Sequence, residues 1–502
     1  MKNIFKFIPK HEPKVFEIEK AQSTPSLSKD KPISCHLNDN IDMLSTFLHY
    51  PKSNDVQFRL FDITMDGKKI HAFLVYYDGL ADSNAISDFI MEQLTKEIKT
   101  DSSSILKSPV KKDSEKLKNT ISGSLIAEIA LSFATTYSEI IDVILHGDTA
   151  LLVDTIDTAF ICDVKKIPGR TVAKAENEMN LKGPAEAFIE GFRTNTALIR
   201  KFVKDENLIF ETAEVGTKSK TRCAICYIST ITNDSIIEET KRRINSLKID
   251  YLIDSGQLEQ LIEDRTFLIS PLILSTERPD KVASHLIEGR VAIIVEGSSN
   301  VLIVPSVYSD FTQSSEDSYV RFPYSILLRF FRVPATFFSI FLPGLYIAIC
   351  DFHQEMIPSD LLFTIAGTRE KVPFTMLMEL LIMEIAFEII REASIRTPAP
   401  VGPTLGIVGT LILGQAIVSA NIVSPVLVII VALTGISAFA VANYSLNYSY
   451  RILRFIYIFL GASMGFFGIS LRSLHPIYFT CFHHIIWSAL PIALYSISKR
   501  SL

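Results

Sequence analysis

The sequence predicts an α/β N-terminal region of two related subdomains, followed by an all-α polytopic membrane domain. Three observations predict it. Apolar residues are unevenly spread over the 502-residue, 48% hydrophobic chain: residues 1–320 read as soluble protein and 326–497 as membrane. Short strands and helices alternate through the first part, in two blocks of matching layout. The stretch from Glu379 to Pro425 is too apolar for a soluble loop and too charged for an ordinary membrane anchor.

Residues 1–40 are polar and rich in Pro, Ser and Lys, the composition of a flexible tail. Thr100 to Asn119 reads as a solvated loop for the same reason. Around these segments lies an internal duplication. ILHGDTALLVD (144–154) matches LIEGRVAIIVE (286–296) without a gap, Gly147 on Gly289, an offset of 289 − 147 = 142. Each block reads as a helix end, a glycine stop and a strand. A further strand follows in each, AFICDV and VLIVPS. The layout predicts subdomains over 40–170 and 180–315. Gly183-Pro184 opens a linker helix between them, with Pro184 at a first helical position. Its apolar face carries Phe188, Phe192, Ile199 and Phe202, and leaves Arg193 and Arg200 outside. Ser275 to Asp280 is a helix-start signal.

The membrane part, 326–497, predicts five or six helices. VPATFFSIFLPGLYIAIC (333–350) is close to the minimum length for a span. A broken polar connection follows, then a helix from about Phe374 to Ala393, others over about 404–421, 425–442 and 452–471, and an apolar tail at 476–497. At 100° per residue, Glu384, Glu388, Arg391 and Glu392 share one face of the second helix. A carboxylate at a bilayer centre costs about 2.5–3.5 kcal/mol, so three on one lipid-facing stripe would cost on the order of 8–10 kcal/mol. The stripe must face protein or water. It reads either as the lining of a cation-attracting path tuned by Arg391 or as ion pairs between helices. On the next helix Gly402, Gly406, Thr410 and Gly414 recur every four residues, a small-residue stripe for close helix packing.

A net charge of −5 gives no reason to expect nucleic acid. The six cysteines form no framework, and Cys223 and Cys226, three apart on a strand, point to opposite faces. They therefore suit a core strand, not a zinc site or a disulfide. MKNIFKFIPKHEPK lacks the apolar core of a signal peptide, so the N-terminal region is expected in the cytoplasm. Arg329 and Arg332, ahead of the first apolar run, agree with positive-inside placement. No Walker loop, GxGxxG, HExxH or metal-ligand cluster occurs, so neither catalytic nor cofactor nor metal residues are assigned and no enzyme is expected. Gly461 to Gly465 spells GxSxG, but inside an apolar helix, where small residues serve packing.

Three long runs carry a resemblance: RTVAKAENEMNLKGPAEAFIEGFRTNTALIRKF, STERPDKVASHLIEGRVAIIVEGS, and LPGLYIAICDFHQEMIPSDLL continuing to FEIIREASIRTPAPVGPTLGIVGTLILGQAIVSANIVSP. The chain resembles the A subunit of GerA-type spore germination receptors over about residues 50–471. The resemblance implies a nutrient-sensing subunit in the inner membrane of the endospore. It implies a transporter-like B subunit that binds the germinant, a lipoprotein C subunit, and self-association into an ion-conducting assembly in lipid. A non-conducting scaffold that recruits partners through its cytoplasmic region is the competing expectation.

Overall fold

The computed structural model describes residues 29–65, 68–95, 117–118, 121–122, 130–166, 175, 178, 180, 182–264, 268–396 and 414–480. The chain divides into two units. One takes in the region up to residue 266 together with 273–306, and the other takes in 267–272 and everything from 307 onward.

The first unit contains two five-stranded sheets. In the first, β1 (Val56–Met65), β2 (Lys68–Tyr77), β3 (Leu131–Ala134), β4 (Thr149–Val153) and β5 (Ala159–Cys162) lie in the order β1-β2-β4-β5-β3. In the second, β6 (Leu208–Val215), β7 (Thr221–Ile228), β8 (Leu274–Thr276), β9 (Val291–Val295) and β10 (Val301–Val304) lie in the order β6-β7-β9-β10-β8. The two orders are one plan used twice. The offset of 142 carries β4 onto β9 and β5 onto β10 residue for residue. It also carries the helix Tyr137–Leu145 onto Pro279–Ile287. The matched glycines act as helix stops, with positive φ of 99° at Gly147 and 86° at Gly289. At both, an added Cβ would lie 3.1 Å from a backbone carbonyl, of Leu80 and of Ile231 respectively.

Every pairing between these strands is antiparallel. Alternating strands and helices had suggested an α/β plan, but the region is α+β. The physical reason is the length of the connections. β1 turns into β2 across residues 66–67, and β4 into β5 across 154–158, too short for a parallel crossover. Both faces of the first sheet are buried, and the period of two divides its residues. Phe73, Val75 and Tyr77 join one core with Ile140 and Ile144, while Ala72, Leu74 and Tyr76 join another with Ile86 and Ile90.

The linker helix begins at Phe192, not at Pro184, and runs to Phe202. Asn195 explains the late start. Its side chain accepts from Ile189 N at 2.9 Å and donates to Ile189 O at 2.5 Å, holding the preceding segment out of the helix. Arg200, assigned to the polar side, is 2% exposed. Its guanidinium holds Asp55 through two hydrogen bonds, donates to Leu208 O at 2.8 Å and lies 3.9 Å from the Tyr77 ring centroid. One arginine thus ties the helix to the residue just before β1 and to the start of β6.

Cys223 packs in the second sheet's core with Ile225 and Val295, while Cys226 lies near Arg200 on the other face. Burial pushes the Cys223 thiol up to about 12 and also raises Cys226 well above the ordinary thiol range. Both are free thiols.

The second unit is helical. α1 (Phe322–Ile347) continues through a π-turn to Phe352, α2 spans Ser359–Arg369, α3 Met376–Arg396, α4 Pro425–Phe439 and α5 Tyr444–Thr480, which is interrupted by a kink at Gly465, where φ is 58°. Two stretches, Phe322–Phe352 and Tyr444–Leu471, are long and apolar enough to cross a membrane, and α4 is a shorter apolar helix. The first starts well before the apolar run at 333. Asp317, 1% exposed, accepts from both Arg329 and Arg332 and satisfies the polar residues of those early turns. These two arginines hold its carboxyl below the usual carboxylate range against the opposing effect of burial. Most of the helix expected over 404–421, including Gly402, Gly406 and Thr410 of the small-residue stripe, and the tail beyond 480 lie outside the described residues.

Candidate functional site: a buried charge ladder

The second unit brings four helices together through glycine and proline. Gly344 of α1 and Gly461 of α5 meet backbone to backbone. An added Cβ at Gly461 would lie 2.5 Å from Gly344 O, and one at Gly344 would lie 2.6 Å from Tyr457 O. Gly435 of α4 makes similar room for the Phe387 ring of α3. On α5, Gly465 likewise makes room for Phe352 and His353, where an added Cβ would lie 3.1 Å from each. An added Cβ at Gly414 would meet nothing within 4 Å. Ser463, the centre of the GxSxG run, is helical and donates to Leu460 O, so it occupies no strand-to-helix elbow.

Between these helices runs the predicted charged face. Glu384 is fully buried, and its Oε2 accepts from Arg454 Nη1 at 2.9 Å. Arg454 is also buried, and its Nε donates to Ser339 O at 2.8 Å. That acceptor is available because of Pro343: four residues on, a proline has no N–H to return to the Ser339 carbonyl. The proline break in α1 thus supplies the anchor for an arginine on α5.

One turn further along α3, Glu388 takes a two-pronged contact from Arg451, with Nε to Oε1 at 3.1 Å and Nη2 to Oε2 closer still. Arg391 stands 3.7 Å from the same carboxylate and stacks near the Phe387 and Phe439 rings, at 4.9 and 5.4 Å. The sequence reading had set Glu384, Glu388, Arg391 and Glu392 on one face. The structure joins the first three in one ladder. Glu392 stands apart, more than half exposed and paired with Arg396 four residues on.

Arg451 and Arg454 were missed. The signal was present: two arginines three apart on a helix match two glutamates four apart on another, pairing 384 with 454 and 388 with 451 when the helices run oppositely. The ladder proper holds two carboxylates and three guanidiniums. Glu384 Oε1, Arg454 Nη2, and Arg391 Nε and Nη2 are buried without a hydrogen-bond partner among the described residues. Such atoms cost about 1–3 kcal/mol each, so the closed ladder holds groups that gain on meeting water.

A second buried carboxylate opens α3. Glu379 accepts from Ser424 N at 3.0 Å, capping α4, and lies 3.5 Å from Arg369. His353 packs its ring against Phe466 at 4.7 Å. Among the described residues no group of three or more His, Cys, Asp or Glu is arranged to hold a metal ion.

An α+β region with a repeated sheet plan, a helical region with two helices long and apolar enough to cross a membrane and a buried charge ladder define a two-unit protein without a recognisable catalytic constellation among its described residues. The chain belongs to the Bacillus/Clostridium GerA spore germination protein family, whose profile matches residues 42–485. The match extends past Leu471, where the sequence resemblance had stopped. Among its relatives, spore germination protein KA of Bacillus subtilis (strain 168) is 37% identical over 448 residues, covering 88% of this chain and 79% of that one. Spore germination protein GerLA of Bacillus cereus is 37% identical over 418 residues, 83% of this chain and 82% of that one. Spore germination protein A1 of Bacillus subtilis (strain 168) is 40% identical over 336 residues, 67% and 70%. Among solved structures, the N-terminal domain of the A subunit of the Bacillus megaterium spore germinant receptor GerK3 is 29% identical. It aligns with a TM-score of 0.43 over 55% of this chain and 98% of that one.

Proposed function

We propose that this chain is a subunit of a nutrient-germinant receptor that triggers spore germination by oligomerising into an ion-conducting membrane assembly. A multi-pass domain over about 326–497 sits in the spore inner membrane, and the two-sheet region faces the cytoplasm. A transporter-like B subunit binds the nutrient, and a lipoprotein C subunit completes the complex. The observation that carries this reading is the buried ladder of Glu384, Glu388, Arg391, Arg451 and Arg454 among otherwise apolar helices. In the arrangement described here its carboxylates are held by arginines, so the ladder acts as a closed gate. Nutrient binding on the partner parts the pairs, water reaches the unmet polar atoms, and cations pass along the freed carboxylates.

The scaffold reading rests on that same pairing, since ion pairs between helices also hold a non-conducting unit together. Ion release from liposomes containing the three subunits separates the two. With Glu384→Gln and Glu388→Gln, the gate reading expects altered nutrient-triggered flux at equal protein incorporation. Unaltered flux with a less stable complex would leave only the scaffold.

A further inference from the structure

The turn that ends the first apolar helix borders a cavity of about 770 Å3, within the range of small-molecule sites. Its wall is of two kinds. Ile357, Leu362, Phe363 and Ile365 form an apolar side, and Arg369 and Glu370 stand together at the end of α2. The apolar side continues outward, with Phe363 73% exposed. Arg369 pairs with Glu379 at 3.5 Å, with its Nε left without a hydrogen-bond partner, and the Asp351 carboxylate also lies within its electrostatic reach. The other Glu379 oxygen is engaged by Ser424 N. A guanidinium carries five N–H donors, so Arg369 can meet a further anion beside Glu379 and Asp351, with Glu370 next to it in the cavity wall and an apolar trough below.

From this geometry we infer that the cavity binds one phospholipid with a zwitterionic, primary-amine headgroup. The inference rests on the membrane reading above. The phosphate lies on the Arg369 guanidinium, whose planar fork matches phosphate oxygens. The ammonium lies on Glu370, to which it brings three N–H donors. An acyl chain follows Leu362 and Phe363. A purely anionic headgroup would satisfy Arg369 but stand beside the Glu370 carboxylate. A quaternary ammonium has no N–H to give that carboxylate. The position also fits, because Cys350 and Gln354 of the cavity wall flank Phe352, the end of the candidate span, where headgroups lie.

Gly367 supplies a test that spares the fold. It lines the cavity on α2, and an added Cβ there meets nothing within 4 Å. Gly367→Leu fills the trough and improves helix propensity. The full chain is reconstituted in vesicles of phosphatidylethanolamine, phosphatidylcholine and phosphatidylglycerol in equal parts. It is then extracted in mild detergent, and the retained lipid is counted by native mass spectrometry. The wild-type chain should retain one phosphatidylethanolamine in preference to the other two. Gly367→Leu should lose it by about tenfold or more, and Arg369→Gln should lose the headgroup preference. Equal retention of the three lipids, or retention unchanged in Gly367→Leu, would overturn the inference. Flotation of the same vesicles reads membrane insertion separately. A chain that inserts but shows no preference defeats the lipid site alone, whereas a chain that fails to insert defeats the membrane reading beneath it.

Discussion

At the scale of single residues, arginines decide what the polar groups of this chain do. Arg200 and Arg454 are each almost fully buried, and each binds one carboxylate and at least one backbone carbonyl. Removing one partner of such a pair leaves a buried charge uncompensated and costs about 3–5 kcal/mol. Asp55→Asn should therefore lower the thermal stability of the first unit by that amount, read by calorimetry of the full chain. An unchanged transition would mean that Arg200 finds another partner. On the surface the stakes are smaller. Hydrogen bonds from Arg242, aided by Arg243, hold the Glu239 carboxyl at about 2 against its ordinary 4.5. A depressed carboxylate stabilises the fold fully above the unfolded value and loses that contribution as pH falls through about 2. With Arg242 half exposed, the gain is below about 1 kcal/mol. An NMR titration of Glu239 should show its midpoint near 2, and a midpoint near 4.5 would dissolve the pair.

At the scale of elements, glycine and proline set which helices meet. α1 and α5 cross where Gly344 and Gly461 remove both side chains, and Pro343 beside them frees a carbonyl for Arg454. The crossing and the ladder are thus built by neighbouring residues. Gly461→Leu would drive a side chain into the Gly344 backbone, an overpacking cost of about 1–3 kcal/mol or more. It should reduce accumulation in the membrane, read by immunoblot against a control at Gly367, where space is open. Equal accumulation of both variants would remove the crossing from the account.

This scale also separates what the sequence made legible from what it did not. The gapless match at 144–154 and 286–296 pointed to the repeated sheet plan, because identical register leaves identical residue patterns. The antiparallel pairing was hidden, since alternating strands and helices do not reveal which strands are hydrogen-bonded neighbours. The late start of the linker helix was hidden for a local reason, the double hydrogen bond of Asn195 to Ile189. In the ladder, helical periodicity gathered Glu384, Glu388 and Arg391, because one helix carries all three. The matching spacing of Arg451 and Arg454 lay in the sequence too, but only the packing of α3 against α5 makes the pairs with Glu388 and Glu384, 63 and 70 residues away.

At the scale of the whole molecule, membership of the GerA family supplies the setting, and the ladder supplies a proposal for the working part. Paired in this arrangement, the ladder must open to conduct, and its unmet buried atoms favour an open state that water can enter. The measurement that tests this most directly is cation flux from liposomes holding the subunit with the proposed B and C subunits, using Glu388→Arg combined with Arg451→Glu. The exchange keeps an ion pair between α3 and α5 while moving the carboxylate to the other helix. The gate account predicts a folded complex whose nutrient-triggered flux or cation preference changes severalfold, with each single variant leaking or failing to accumulate. Flux and preference identical to the unaltered chain, in a complex of equal stability, would contradict it and leave the ladder as a clamp between helices.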